Sequence, residues 1–276
     1  MFINEETRIR VLDTDFTETF KSLPNSVYDL VTERTFFGTN IYLKPNNTYK
    51  KGVIIKSGIF NTVWDYIGRF YSLEKSQARK VLKMRDKLGI MFNGLPGTGK
   101  TFLAGQIAQY FADNENAIGI LINQGGIDFA SLVDSIRRHD QERKIIIIID
   151  EFEKNYDGKN SQLLSFLDGS DSKENVIVIA TTNVYTHLPN YLIDRPGRFE
   201  QIFTFDVTEE EVIKSMIKAL LPRKYYRAIN VGKVIRHIKK NNIKSIDKIR
   251  MLLKDELEIY FEKFNKKYAV AYKEVA

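Results

Sequence analysis

The stretch "KIIIIIDE", residues 144–151, constrains the fold more than any other: five consecutive isoleucines lead straight into two carboxylates. Isoleucine is stiff at χ1 and suits a pleated strand, and a run with no polar alternation has no face to offer to water. Such a strand must be covered on both sides, which is the situation of a parallel sheet sandwiched between helices. The rest of the middle of the chain agrees. Apolar runs "GIMF", "AIGILIN" and "NVIVIATTN" alternate with helical patterns, among them "KTFLAGQIAQYFA", "IDFASLVDSIRRH" and "SQLLSFLDG". Strand–helix alternation of this kind predicts an α/β fold with a Rossmann-like parallel sheet. The composition, 43 % hydrophobic and 12 % aromatic over 276 residues, supplies the core it needs.

The flanks have different patterns. Residues 1–57 carry short β-branched and aromatic runs separated by turn formers ("LPNS", "KPNN"), which predicts a small β-containing N-terminal module. Residues 58–206 form the core, opening with two helical patterns before "GIMF". Residues 207–276 read as a small helical domain, with Thr208 as its first N-cap and Glu211 three positions on. There is no cysteine and there are three histidines, which excludes disulfides and thiolate metal sites and leaves little for zinc. The first ten residues carry acids where a secretory leader has a basic region and apolar core, and no apolar run approaches a membrane span, so a cytoplasmic location without membrane attachment is expected. Charge is uneven. From Glu211 to Ala276 there are 17 Lys and Arg against 7 Asp and Glu, while the remainder of the chain is slightly acidic. That asymmetry fits either a polyanion-binding surface or lysines solvating the outer faces of amphipathic helices.

Between "GIMF" and the next helix lies "GLPGTGKT", Gly94 to Thr101, matching G-x-x-x-x-G-K-[ST] in the strand-to-helix setting that the pattern requires. Gly94, Leu95, Pro96, Gly97, Thr98, Gly99, Lys100, Thr101 and Phe102 are therefore candidates for holding a nucleotide. The glycines let successive N–H groups turn inward, and the following helix adds its positive end. Lys100 would meet the terminal phosphates of ATP, and the Thr101 hydroxyl would ligate Mg2+. Asp150 and Glu151 emerge at the C-terminal end of the isoleucine strand, where ligands of open α/β sheets sit. Asp150 would hold Mg2+ through water, and Glu151 would orient and deprotonate the attacking water. Asn183, ending "VIVIATTN", could bond a water and a phosphate oxygen together.

With "GLPGTGKT", "IIIIIDE", "ATTN" and "DRPGRFE" in this order, the chain resembles the AAA family of ATPases, over about residues 59–276. The stretch "LPNYLIDRPGRFEQIFTF" is the most specific part of that resemblance. It implies an ATPase core with a helical lid, ATP and Mg2+ as ligands, and a homo-oligomeric ring, commonly a hexamer. It carries Lys100 and Thr101 over as the first nucleotide motif, Asp150 and Glu151 as the second, Asn183 as a sensor, and Arg195 and Arg198 as arginine fingers. The function implied is remodelling or translocation of a macromolecular client, a protein in preference to a nucleic acid. The alternative is a nucleic-acid-associated loader or translocase that uses the basic C-terminal domain. One departure stands out: "NQGGIDFASLVDSIRRHDQERK" is short for the segment that carries an aromatic pore loop in AAA unfoldases, and Phe129 is its only aromatic. In this it is similar to the mitochondrial AAA translocases that move the folded Rieske protein.

Overall fold

The structure is a computed structural model that describes residues 2–5, 8–11, 23–35, 38–49, 58–83, 86–138, 140–156, 161–168, 173–184, 188, 192, 198–206 and 210–274. The proposed cap at Thr208 and the candidate finger Arg195 lie outside the described residues. The strands are β1 (Phe2–Glu5), β2 (Arg8–Val11), β3 (Val27–Thr35), β4 (Gly38–Pro45), β5 (Lys87–Gly94), β6 (Ala117–Ile122), β7 (Lys144–Ile149), β8 (Val176–Thr182) and β9 (Gln201–Phe205). The helices are α1 (Ile59–Phe70), α2 (Leu73–Val81), α3 (Lys100–Asn114), α4 (Phe129–Arg137), α5 (Phe152–Asn155), α6 (Ser161–Asp168), α7 (Glu210–Leu220), α8 (Val231–Lys240) and α9 (Ile246–Glu274). The chain divides into two compact units. One comprises Met1–Gly52, Val63–Gly94 and Lys100–Thr204; the other comprises Val53–Thr62, Leu95–Gly99 and Phe205–Ala276.

The first unit is built on a sheet ordered β1-β2-β4-β3-β6-β7-β8-β5-β9. Its centre, β6-β7-β8-β5, is parallel. All five isoleucines of β7 are fully buried, as are Val176 to Ala180 of β8. The unbroken apolar runs thus have the cause inferred from them, a sheet with no wet face. The expected α/β class with a parallel-sheet core is what the chain adopts. The β content expected before residue 57 is present too, and it continues the central sheet. β3 pairs in parallel with β6 (Val27↔Gly119, Tyr28↔Ile120, Asp29↔Leu121) and antiparallel with β4. Val27 and Tyr28 lie in the core, and burial pushes the Tyr28 phenol up to about 12.

Further along, Tyr49 is packed on α3 where the helix has Gly105. A Cβ at that glycine would sit 2.2 Å from the tyrosine ring, so the close approach needs glycine. Phe129 opens α4 and is buried, stacked on Phe166 at 5.5 Å and tilted against Tyr156. The one aromatic of the shortened segment is therefore core.

The second unit is helical. Val212, Ile213, Met216 and Ile217 of α7, Val234, Ile235 and Ile238 of α8, and Ile249 and Leu253 of α9 are among its buried side chains, at the helical spacing the sequence shows. Asn230 caps α8, accepting from the Lys233 N–H at 2.9 Å. Glu210 ties α7 to α8 by pairing with Lys214 and with Lys239.

Candidate nucleotide site

In the first unit β5, β7 and β8 end side by side, and the polar residues that follow them meet there. Lys100 opens α3 directly after the phosphate loop. Its Nζ donates to the Gly94 carbonyl at 2.6 Å and to Asn183 Oδ1 at 3.0 Å. Burial lowers its pKa below the ordinary lysine range, opposed by Glu153, Asp150 and Glu151. A cation already partly stripped of water has less hydration to lose on meeting a phosphate. The next residue, Thr101, donates from its hydroxyl to Asp150 Oδ1 at 2.6 Å. The same carboxylate oxygen accepts the Thr181 hydroxyl at 2.6 Å, and Thr181 Oγ1 in turn accepts the Glu151 N–H at 3.1 Å.

Glu151 itself is in the left-handed region (φ 47°, ψ 55°), a conformation that non-glycine residues seldom take outside constrained positions. The Thr181 hydroxyl holds its N–H, and Glu151 Oε1 pairs with Lys154 at 2.7 Å on a half-exposed surface. A chain leaving a buried strand must turn sharply to bring a carboxylate to the rim, and that turn is made at Glu151.

Two residues absent from the sequence reading belong to this site. Glu153 Oε1 accepts both from the Asn183 backbone N–H at 3.1 Å and from Asn183 Nδ2 at 3.0 Å. Its charge is kept despite burial: hydrogen bonds from its own N–H, from the Asn183 N–H and from the side chains of Thr182 and Asn183 outweigh desolvation and lower its pKa. Its other oxygen, Oε2, is buried with no hydrogen-bond partner among the described residues. Thr181 is the second, clamping Asp150 and Glu151 together. Its signal was available, since residues two apart on a strand share a face and Thr181 stands two before Asn183.

Of the candidate fingers, Arg198 is described, and it is 5 % exposed with Nε 2.8 Å from Asp168 Oδ2. Its loop lies against β5: the Glu200 N–H donates to the Gly89 carbonyl at 2.9 Å, and a Cβ on Gly89 would fall 1.8 Å from the Arg198 carbonyl oxygen. The remainder of the phosphate loop belongs to the second unit. Gly97 and Gly99 have positive φ, 76° and 91°, as does Gly94 at 151°. Thr98 Oγ1 bonds the Leu95 carbonyl at 2.8 Å, Leu95 is half exposed, and the Ile246 N–H donates to the Gly97 carbonyl at 2.6 Å. Pro96 lies in the turn that follows Leu95. Phe102, beyond the loop, faces Tyr49 with ring centroids 6.3 Å apart.

Thr101 and Asp150 are hard oxygen donors placed next to each other. Such a pair fits Mg2+, which takes one or two protein oxygens and fills its shell with water and phosphate. Among the described residues no helix is long and apolar enough to cross a membrane.

Comparison with known sequences gives the same direction. Residues 90–207 match the family described as "ATPase family associated with various cellular activities (AAA)". Over 155 residues the chain is 28 % identical to human "ATPase family AAA domain-containing protein 2", covering 49 % of this chain and 11 % of that protein. It is 30 % identical over 164 residues to the Arabidopsis thaliana "ATP-dependent zinc metalloprotease FTSH 9, chloroplastic", covering 52 % and 20 %. With "ATPase with bromodomain protein abo2" of Schizosaccharomyces pombe it shares 29 % over 145 residues, 45 % of this chain and 12 % of that one. The chain thus spans between 11 % and 20 % of the length of these relatives. Phosphate loop, acidic strand end and the residues around them fall inside the matched segment, residues 90–207.

Proposed function

We propose that this chain binds ATP with Mg2+ and hydrolyses it, and that it works as a homo-oligomeric ring, a hexamer by resemblance, moving or remodelling a macromolecular client. The observation that carries the reading is the junction of Lys100, Thr101, Asp150 and Asn183 at the ends of three neighbouring strands. A binding-only site has no use for a base beside it, and Glu151 stands next to Asp150 on an exposed rim. Lys100 would hold the terminal phosphates, Thr101 and Asp150 would hold Mg2+, and Asn183 would orient water. Mg2+ when bound neutralises charge developing on the phosphates. Glu151 accepts a proton from water as the water oxygen bonds the γ-phosphorus and the bond from that phosphorus to the β–γ bridging oxygen breaks. ADP and phosphate leave. To reach the water, Glu151 gives up Lys154, an exposed pair that solvent already screens.

The test is Glu151→Gln. An amide orients water but takes no proton, so this variant should bind ATP as the parent does while turnover falls about 10²- to 10⁴-fold. Turnover at the parent rate would place the base elsewhere. The folded-cargo mode suggested by the short pore-loop segment gains support from burial of Phe129, which leaves that segment no exposed aromatic with which to grip a threaded chain.

A further inference from the structure

The excess positive charge of the C-terminal helices is partly gathered in one place. At the end of α7 the chain passes through Pro222 into a single 3-10 turn, Arg223–Tyr225, and on to Tyr226 and Arg227. This short path encloses an open groove of about 930 Å³ lined by Lys218, Leu221, Arg223, Lys224, Tyr226 and Arg227. Leu221 is buried beneath it, the four cations are exposed, and Tyr226 is half-buried among them. Among the described residues that line the groove none is acidic.

What distinguishes these four cations is that several acids of the second unit are paired with other cations. Glu210 is held by Lys214 and Lys239, Asp206 by Lys244, Asp247 by Arg250, Glu256 by Lys233 and Glu258 by Lys254. Among the described residues no side-chain ion pair joins Lys218, Arg223, Lys224 or Arg227; Lys224 lies 4.8 Å over the Tyr225 ring. Offsetting the partial negative charge at the end of α7 accounts for Lys218 alone, because that effect dies away within the last turn. Arg223, Lys224 and Arg227 stand beyond the helix, close in sequence and lining one groove.

We infer that this groove binds the phosphate backbone of single-stranded nucleic acid. Two arginines offer planar forks suited to phosphate oxygens, and Tyr226, lining the groove beside them, offers a face on which a base can stack. Carboxylates of an acidic peptide would use the cations but leave the Tyr226 ring without a role. The proposal stands apart from the ATP site: it uses none of the residues placed there, and binding requires no nucleotide.

The test is fluorescence anisotropy of a labelled 20-nucleotide oligo-thymidylate titrated with the full chain, without ATP, across a salt series. Four phosphate contacts on a single strand predict a slope of about −3 in log K against log salt. The triple variant Arg223→Glu/Lys224→Glu/Arg227→Glu should bind at least tenfold more weakly, with a flatter slope, while its circular dichroism and its ATPase rate without nucleic acid match the parent. Tyr226→Ala should weaken binding severalfold and leave the salt slope unchanged, which a purely electrostatic surface would not do. Equal oligonucleotide binding by parent and triple variant would overturn the proposal. So would displacement of the oligonucleotide by polyglutamate as effectively as by unlabelled oligonucleotide, since the groove would then select charge alone. An oligoribonucleotide arm separates RNA from DNA, and a duplex arm that binds better than either single strand would overturn the single-strand assignment.

Discussion

At the scale of single residues, the proposed chemistry would depend on how Asn183 is held. Its amide oxygen accepts from Lys100 while its backbone and side-chain N–H groups both donate to one oxygen of Glu153. Glu153 touches neither nucleotide nor water in the proposed reaction, so it is a positioning residue. Glu153→Ala should lower kcat for ATP by roughly 10- to 100-fold, the size expected when a reacting geometry slips by about an ångström. KM for ATP should change much less, because Lys100 and the loop remain. Glu153→Gln keeps an oxygen that can accept both bonds and should recover much of kcat. Steady-state kinetics on the three proteins decide the matter, and a Glu153→Ala enzyme with the parent's kcat would show that Asn183 needs no such support. The lowered pKa adds a pH signature. Ionised Glu153 contributes stability above the ordinary carboxyl range, and that contribution disappears as pH falls through its lowered native value. Little of this could be read from the chain beforehand. Lys100, Thr101, Asp150 and Asn183 were legible because each ends a strand or opens a helix on the same rim of a parallel sheet. Glu153 sits on a one-turn helix whose side-chain partner is 30 residues away, and no periodicity encodes that.

At the scale of elements, helix α3 shows local preference giving way to packing. Glycine inside a helix costs about 0.5–1 kcal/mol relative to alanine, so Gly105→Ala on helical propensity alone would stabilise the protein. Here the added Cβ would fall 2.2 Å from the buried Tyr49 ring, and overpacking of that kind costs about 1–3 kcal/mol. Gly105→Ala should therefore lower the denaturation midpoint, and the same change made in a Tyr49→Ala background should raise it. A double-mutant cycle by urea unfolding measures the sign reversal; a stabilising Gly105→Ala in the parent would mean that Tyr49 moves aside at no cost. The sequence announced α3 and its glycine but not the tyrosine, because the contact joins residues 56 apart through tertiary structure alone. The same holds for β3. Its β-rich composition was plain, whereas its parallel attachment to β6 depends on a non-local pairing that composition does not specify. By contrast β7 needed no partner to be recognised, since five adjacent isoleucines admit one environment only.

At the scale of the whole molecule, the ring reading turns on whether an arginine from one subunit completes the site of another. Arg195 and Arg198 both carry that role by resemblance, yet they serve differently as tests. Arg198 is buried against Asp168, and removing one partner of a buried pair typically costs about 3–5 kcal/mol, so loss of activity in Arg198→Ala would be confounded by loss of fold. Arg195 is the better probe. An arginine supplied to phosphoryl transfer is worth about 10³- to 10⁵-fold in rate, so Arg195→Ala should bind ATP and hydrolyse it very slowly. Lys100→Ala should fail earlier, at binding, because it lacks the cation proposed to meet the terminal phosphates. Neither protein should turn over appreciably alone, but the two would be defective in complementary ways. In mixed rings some interfaces join an intact phosphate loop on an Arg195→Ala subunit to an intact arginine on a Lys100→Ala neighbour. Partial ATPase activity should therefore return on mixing, rise with total protein concentration, and peak when both variants are present in comparable amounts. A mixture that stays inactive while labelled subunits demonstrably exchange would remove the arginine from its role in trans. Dilute monomer that hydrolyses ATP as fast as concentrated protein would remove the ring from the mechanism altogether.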